Sequence, residues 1–119
     1  MKKVLIVEDE GIVCLDLRNT LSGYGKIESE VAFTGEDAIK MIKNDKPDLV
    51  LMDIGLKGKI DGIEAAKIVT QNYNIPVVFL TGFADSNTAD KANSLSPAGY
   101  MTKPVDEEKL KELILNILF

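Results

Sequence analysis

The sequence predicts an α/β fold: five strands alternating with five helices, (βα)5, doubly wound about a five-stranded parallel sheet in the order 2-1-3-4-5. Three observations carry that expectation. Short apolar runs recur at residues 4–7, 49–52 and 76–80, as in strands covered on both faces. Between them lie stretches whose apolar residues return every three or four positions, the spacing of a helix face. The alternation runs from end to end without internal repeat, linker or low-complexity tract, so residues 1–119 read as a single domain.

The elements follow in order. VLIV at 4–7 is the first strand. In GIVCLDLRNTL, Val13, Leu17 and Leu21 mark a helix face, and GYG at 23–25 breaks the helix. IESEVAF at 27–33 is a second, less buried strand, expected at a sheet edge. Thr34 with Asp37 three residues on has the form of a capping box, and AIKMI continues that helix toward Lys46-Pro47. Residues 49–54 form the third strand. Asp61-Gly62-Ile63-Glu64 opens the third helix, which carries AAKIV. Residues 76–80 form the fourth strand. DSNTADKANS at 85–94 is rich in poor helix formers, and its neighbourhood has apolar residues only at Ala84, Ala89, Ala92 and Leu95. A weak fourth helix of low stability is expected there. Residues 99–102 form the fifth strand. DEEKLKELILNILF at 106–119 is the last helix, with Asp106, Glu107 and Glu108 where the helix dipole favours acids. Its core stripe is Leu110, Leu113, Ile114, Ile117 and Leu118, while Leu115 and Phe119 fall on a second face.

Composition narrows the function. Nineteen acids against 14 bases give a net charge of -5, with a single arginine, Arg18, and no histidine. That balance argues against nucleic acid or an anionic membrane surface as a direct partner. The missing histidine removes the commonest acid–base catalyst and metal ligand, and with it zinc sites and hydrolase triads. Cys14, the one cysteine, sits among apolar residues and reads as a small core residue. Met1-Lys2-Lys3 is followed by too short an apolar run for a signal peptide, and nothing approaches a membrane span of roughly 20 residues. The cytoplasm is the expected location.

In a doubly wound sheet the functional crevice lies at the carboxyl ends of the strands, here where the winding reverses between the first and third. Strand one ends in Glu8-Asp9, strand three in Asp53, strand four in Thr81 and strand five in Lys103. Each is unremarkable alone: a solvated acid pair, a loop acid, a turn threonine, a surface lysine. Together they bring three carboxylates, a hydroxyl and an ammonium to one place. Crowded carboxylates repel and need a cation. All-oxygen donors select Mg²⁺ or Ca²⁺, and Mg²⁺ pairs a few carboxylates with phosphate oxygens. A carboxylate can also be the nucleophile toward phosphorus, so Asp53 is a candidate to be phosphorylated beside Mg²⁺.

The stretches VEDE (7–10), LMDIGLKGKIDGIEAA (51–66), VVFLTGFAD (77–85) and GYMTKPVDEEKL (99–110) resemble the receiver domain of two-component response regulators over essentially the whole chain. The resemblance implies a receiver fold of the flavodoxin-like kind and a regulatory phosphoacceptor rather than an enzyme. Asp53 would take a phosphoryl group from the phosphohistidine of a sensor histidine kinase or a phosphotransfer protein. Asp9 and Asp53 would bind Mg²⁺ directly, Glu8 through water, and Gly55 through its carbonyl. Lys103, in a cis bond to Pro104, would hold the phosphoryl group, with Thr81 and its neighbour Gly82 beside it. Tyr100 would be the aromatic switch, and the fourth helix, fifth strand and fifth helix the face that meets a downstream target or a second copy.

Three features depart from the family pattern. Glu8 replaces the more usual Asp. GLKGKIDG is one residue longer than usual and lacks the common proline. Gly55 and Phe83 offer no polar side chain along the path of attacking water, so slow loss of the phosphoryl group is expected. The competing readings are an electron carrier, a Mg²⁺-dependent phosphatase with an aspartyl nucleophile, and a receiver-like interaction module that acts without phosphorylation. EDEG after the first strand would repel a flavin phosphate, and Gly55 stands where such phosphatases usually place a second acid.

Overall fold

Strands β1 (Lys2–Val7), β2 (Ile27–Ala32), β3 (Leu49–Asp53), β4 (Val77–Thr81) and β5 (Gly99–Thr102) alternate with helices α1 (Gly11–Ser22), α2 (Gly35–Asn44), α3 (Gly62–Tyr73), α4 (Ser86–Asn93) and α5 (Glu107–Leu118). The structure, a computed structural model, describes residues 1–82 and 86–119. Phe83, which figured in the expected water path, and Ala84 and Asp85, which figured in the fourth helix, lie outside the described residues. The strands are all parallel, in the order β2-β1-β3-β4-β5, as the sequence predicts.

Side chains alternate across a strand, so each central strand supplies two cores. Val4, Ile6, Leu49, Leu51, Val78 and Leu80 face α1 and α5, meeting Leu17, Leu21, Leu110 and Ile114. Leu5, Val7, Val50, Met52, Val77 and Phe79 face the other way, onto Ala38, Ile42, Ala65, Val69 and Ala92 of α2, α3 and α4. β3 and β4 are buried along their whole length, which is why they read as unbroken apolar runs. The edge strands β2 and β5 are only partly covered.

Local chemistry sets the helix starts. The Thr34 hydroxyl accepts from the Asp37 N–H at 3.1 Å. Asp61 and Glu64 form a reciprocal capping box, a device worth about 1 kcal/mol. Asp106 is the N-cap of α5, accepting from the Glu108 and Lys109 N–H groups. On α5 the second face is not uniform. Leu115 is half-buried and packs against the α1/α5 core, because helix side chains lean back toward the preceding turn. Phe119 is exposed. On α1, Ile12 and Leu15 are exposed outside the predicted stripe, while Cys14 is buried.

Cys14 is 5% exposed and its thiol donates to the Glu8 carbonyl at 3.3 Å. Burial pushes its pKa up, and the charges of Glu8 and Asp9 push it further. Less thiolate is therefore present at any given pH than on an unfolded chain. An alkylating reagent should modify Cys14 far more slowly in the native protein than in denaturant, across the neutral range; equal rates would contradict this packing. A second expectation concerns α4. Of its residues only Ala92 is buried, against a fully buried β3. Amides of α4 should exchange with solvent roughly 100-fold faster than those of β3, reflecting a low local opening free energy. Equal protection would count against α4 as a weak element.

Candidate functional site

The register of the sheet makes the strands end in step. Val7 pairs with Met52, Asp53 with Leu80, and Thr81 with Thr102. The residues that follow therefore emerge at one edge. The Lys103 N–H donates to the Thr81 carbonyl at 2.7 Å, tying the last strand's exit to that of β4. Lys103 is joined to Pro104 by a cis peptide bond.

Asp53 closes β3 and is 7% exposed. Its Oδ1 accepts from the Gly55 N–H at 3.2 Å and lies 3.5 Å from Lys103 Nζ. Lys103 Nζ donates to Glu8 Oε2 at 2.9 Å. The lysine thus bridges two carboxylates from different strands. Gly62 makes the close approach of α3 possible: a Cβ there would overlap the Asp53 carbonyl oxygen.

Glu8 is 1% exposed. Burial raises its pKa; the Lys103 hydrogen bond opposes that, and the charge of Asp53 adds to it. For Lys103, burial works against the charged form, but the Glu8 hydrogen bond and the charges of Asp53 and Glu8 outweigh it. Its pKa is raised, so it is an ammonium ion at neutral pH. Asp9 is half-buried, and its Oδ2 accepts from the Lys57 N–H at 3.4 Å.

These groups border a cleft of about 720 Å³. Among the described residues, Asp9, Asp53, Gly55, Gly82 and Lys103 line it, together with Glu10 and Lys57. Glu8 and Thr81 are fully buried beside it rather than on its wall. Tyr100 is half-buried and packs against the α2/α3/α4 core, away from the cleft lining. Pro104 instead borders a neighbouring groove between α1 and α5. Glu10 was not singled out by the sequence reasoning, yet carboxylate oxygens of Glu8, Asp9 and Glu10 lie within 4.8 Å of one another. Its signal was its place directly after Glu8-Asp9 in VEDE.

Four acids thus stand at this edge with Lys103 bonded to one and close to another. Among the described residues the donor set is carboxylate, carbonyl and hydroxyl oxygen. That chemistry fits a small hard cation, with Asp9, Asp53 and Gly55 on the cleft wall. Among the described residues, no helix is long and apolar enough to cross a membrane.

Comparison with known proteins agrees with the geometry. The response regulator receiver domain family matches residues 4–115. The chain is 36% identical over 117 residues to the uncharacterized transcriptional regulatory protein YrkP of Bacillus subtilis, covering 95% of this chain and 48% of that one. It is 33% identical over 103 residues to the transcriptional regulatory protein PdtaR of Mycobacterium tuberculosis, covering 87% of this chain and 50% of that one. The chain therefore spans about half the length of these curated relatives. Among solved structures, the signal receiver domain of a modulated diguanylate cyclase from Desulfovibrio desulfuricans superposes with a TM-score of 0.91 at 34% identity, covering 99% of this chain and 94% of that one. A CheY-like receiver domain protein from Methanospirillum hungatei gives a TM-score of 0.90 at 26% identity, over 98% of this chain and 92% of that one. The chain belongs to the response regulator receiver domain family.

Proposed function

We propose that this domain, residues 1–119, accepts a phosphoryl group on Asp53 from the phosphohistidine of a sensor kinase or phosphotransfer protein. One observation carries the reading: a carboxylate delivered by a rigid, fully buried strand to the edge of a cleft, 3.5 Å from an ammonium group. An Asp53 carboxylate oxygen attacks phosphorus, the phosphorus–nitrogen bond breaks, and the electron pair stays on the imidazole. Such a transfer asks the protein mainly for positioning and charge neutralisation.

The chain's own residues supply both. β3 fixes Asp53, and the Gly55 N–H holds its Oδ1. Lys103 stands ready to exchange part of its contact with the carboxylates for the incoming phosphoryl oxygens, Thr81 gives a hydroxyl from the end of β4, and Gly82 leaves the entrance open. Asp9, Asp53 and the Gly55 carbonyl would hold Mg²⁺, with Glu8 acting through water. When bound, Mg²⁺ supplies charge neutralisation to the acids and to the phosphoryl group.

The product is a signal rather than a released compound. Phosphorylation shifts the population toward a conformer in which Tyr100 and the α4–β5–α5 face are altered for a downstream protein or a second copy. The weak packing of α4 supports that assignment. A net charge of -5 supports protein rather than nucleic acid as the direct partner of this domain, and the location that goes with this reading is the cytoplasm.

Intact mass tests the reading. After incubation with Mg²⁺ and a small-molecule phosphoryl donor, the parent should gain one phosphoryl group, and Asp53→Asn should gain none. Chelation of the metal should abolish the gain. A parent that stays unmodified with both this donor and a phosphohistidine donor would favour the module that acts without phosphorylation.

A further inference from the structure

The loop between β3 and α3, residues 54–61, touches two acids of the cleft, Asp53 and Asp9, through its backbone. Its Gly55 N–H donates to Asp53 Oδ1 and its Lys57 N–H to Asp9 Oδ2. The shape of this loop therefore sets where those carboxylates and the Gly55 carbonyl stand. This loop, read from the sequence as one residue longer than the family pattern, has a support from outside itself.

That support comes from α2. Glu36, in the first turn of α2, accepts from the Ile60 N–H through Oε1 at 3.0 Å, across 24 residues of chain. Its carboxylate also lies against Gly58. A Cβ on Gly58 would meet the two Glu36 carboxylate oxygens at 3.1 and 3.2 Å, and Gly58 has a φ of +122° that side chains rarely adopt. Ile60 in turn packs on Gly35, where a Cβ would crowd its side chain. The loop turn and the start of α2 are thus fitted to each other at three successive contacts. An acid in the first turn of a helix is common for dipole reasons alone. Asp37, exposed in the same turn, fills that general role. Glu36 does something further, because its carboxylate faces another segment.

We infer that Glu36 is a positioning residue: it latches the 54–61 loop to α2 so that the loop backbone holds Asp53, Asp9 and the Gly55 carbonyl in the arrangement a divalent cation requires. The inference rests on the receiver reading above, since it assigns Glu36 a role in metal binding at that site. Glu36 touches neither the metal donors nor Asp53; it acts through the loop.

The test uses Glu36→Ala, Glu36→Gln and Asp37→Ala beside the parent. Two quantities are measured on each: Mg²⁺ affinity by calorimetric titration, and hydrogen exchange of the Ile60 amide by NMR. Glu36→Ala should weaken Mg²⁺ binding roughly tenfold, as loss of an outer-shell partner does, and should deprotect the Ile60 amide. Glu36→Gln keeps an acceptor oxygen and should restore most of both. Asp37→Ala removes the same charge from the same turn and should change neither. Phosphorylation of Glu36→Ala should be slow at low Mg²⁺ and recover at saturating Mg²⁺, which a merely unstable protein would not do. Parental affinity in Glu36→Ala overturns the latch. So does an equal loss in Glu36→Gln, or in Asp37→Ala, since charge alone would then explain the effect. A parent that binds no Mg²⁺ overturns the receiver reading itself, and the latch with it, which separates the two failures.

Discussion

A carboxylate sealed inside a protein needs a counter-charge, and here it comes from 95 residues away. Glu8 is buried at the end of β1, and the Lys103 ammonium reaches it from beyond β5. Removing one partner of such a pair strands the other charge, at a cost on the order of 3 kcal/mol. The pair therefore does more than decorate the site. It joins the exits of the first and last strands, and the bond from the Lys103 N–H to the Thr81 carbonyl adds β4. Asp53, on the strand between, is held within reach of the same ammonium.

This arrangement leaves the strand edge electrically unfinished. One lysine bridges two acids, while Asp9 and Glu10 add two more carboxylates beside them. A fold that gathers charge this way is sensitive to whatever cation or anion enters next. In the proposed reaction a cation would relieve the repulsion, and a phosphoryl group would then compete with the carboxylates for Lys103. Redistribution of one lysine's contacts is a small local change. Lys103 directly follows β5, and Tyr100 of β5 packs on the core beneath α4, the helix with the fewest buried residues. Burial is thus unevenly spread: β3 and β4 are covered along their whole length, where the proposed chemistry needs fixed geometry, and α4 buries only Ala92, where the proposed signal needs movement.

Much of this was legible in the sequence. Strand identity followed from apolar runs because β3 and β4 are buried on both faces. The capping signals at Thr34 and Asp61 located two helix starts, since they depend on neighbours three residues apart. The gathering of Glu8, Asp9, Asp53, Thr81 and Lys103 followed from topology alone. What stayed hidden depends on side-chain direction and long-range packing. Spacing does not say that Glu8 turns inward to Lys103 while Glu10 faces the cleft. Nor does it say that Leu115 leans into the core while Ile12 and Leu15 stand exposed. The Glu36 contact was invisible for the same reason: an acid after a helix-opening glycine looks like any dipole-stabilised acid until the loop opposite is in place.

Phosphoryl transfer as proposed requires that the acids at the strand ends form a cation site that the fold holds ready. Thermal unfolding with and without Mg²⁺, at matched ionic strength in a monovalent salt, tests it most directly, with Asp9→Asn as comparison. Specific binding to the native state at a hundredfold excess over the dissociation constant adds about 2.7 kcal/mol of stability. The Tm of the parent should rise clearly with Mg²⁺, and that of Asp9→Asn much less. An unchanged Tm in the parent, or the same rise in both proteins, would contradict it.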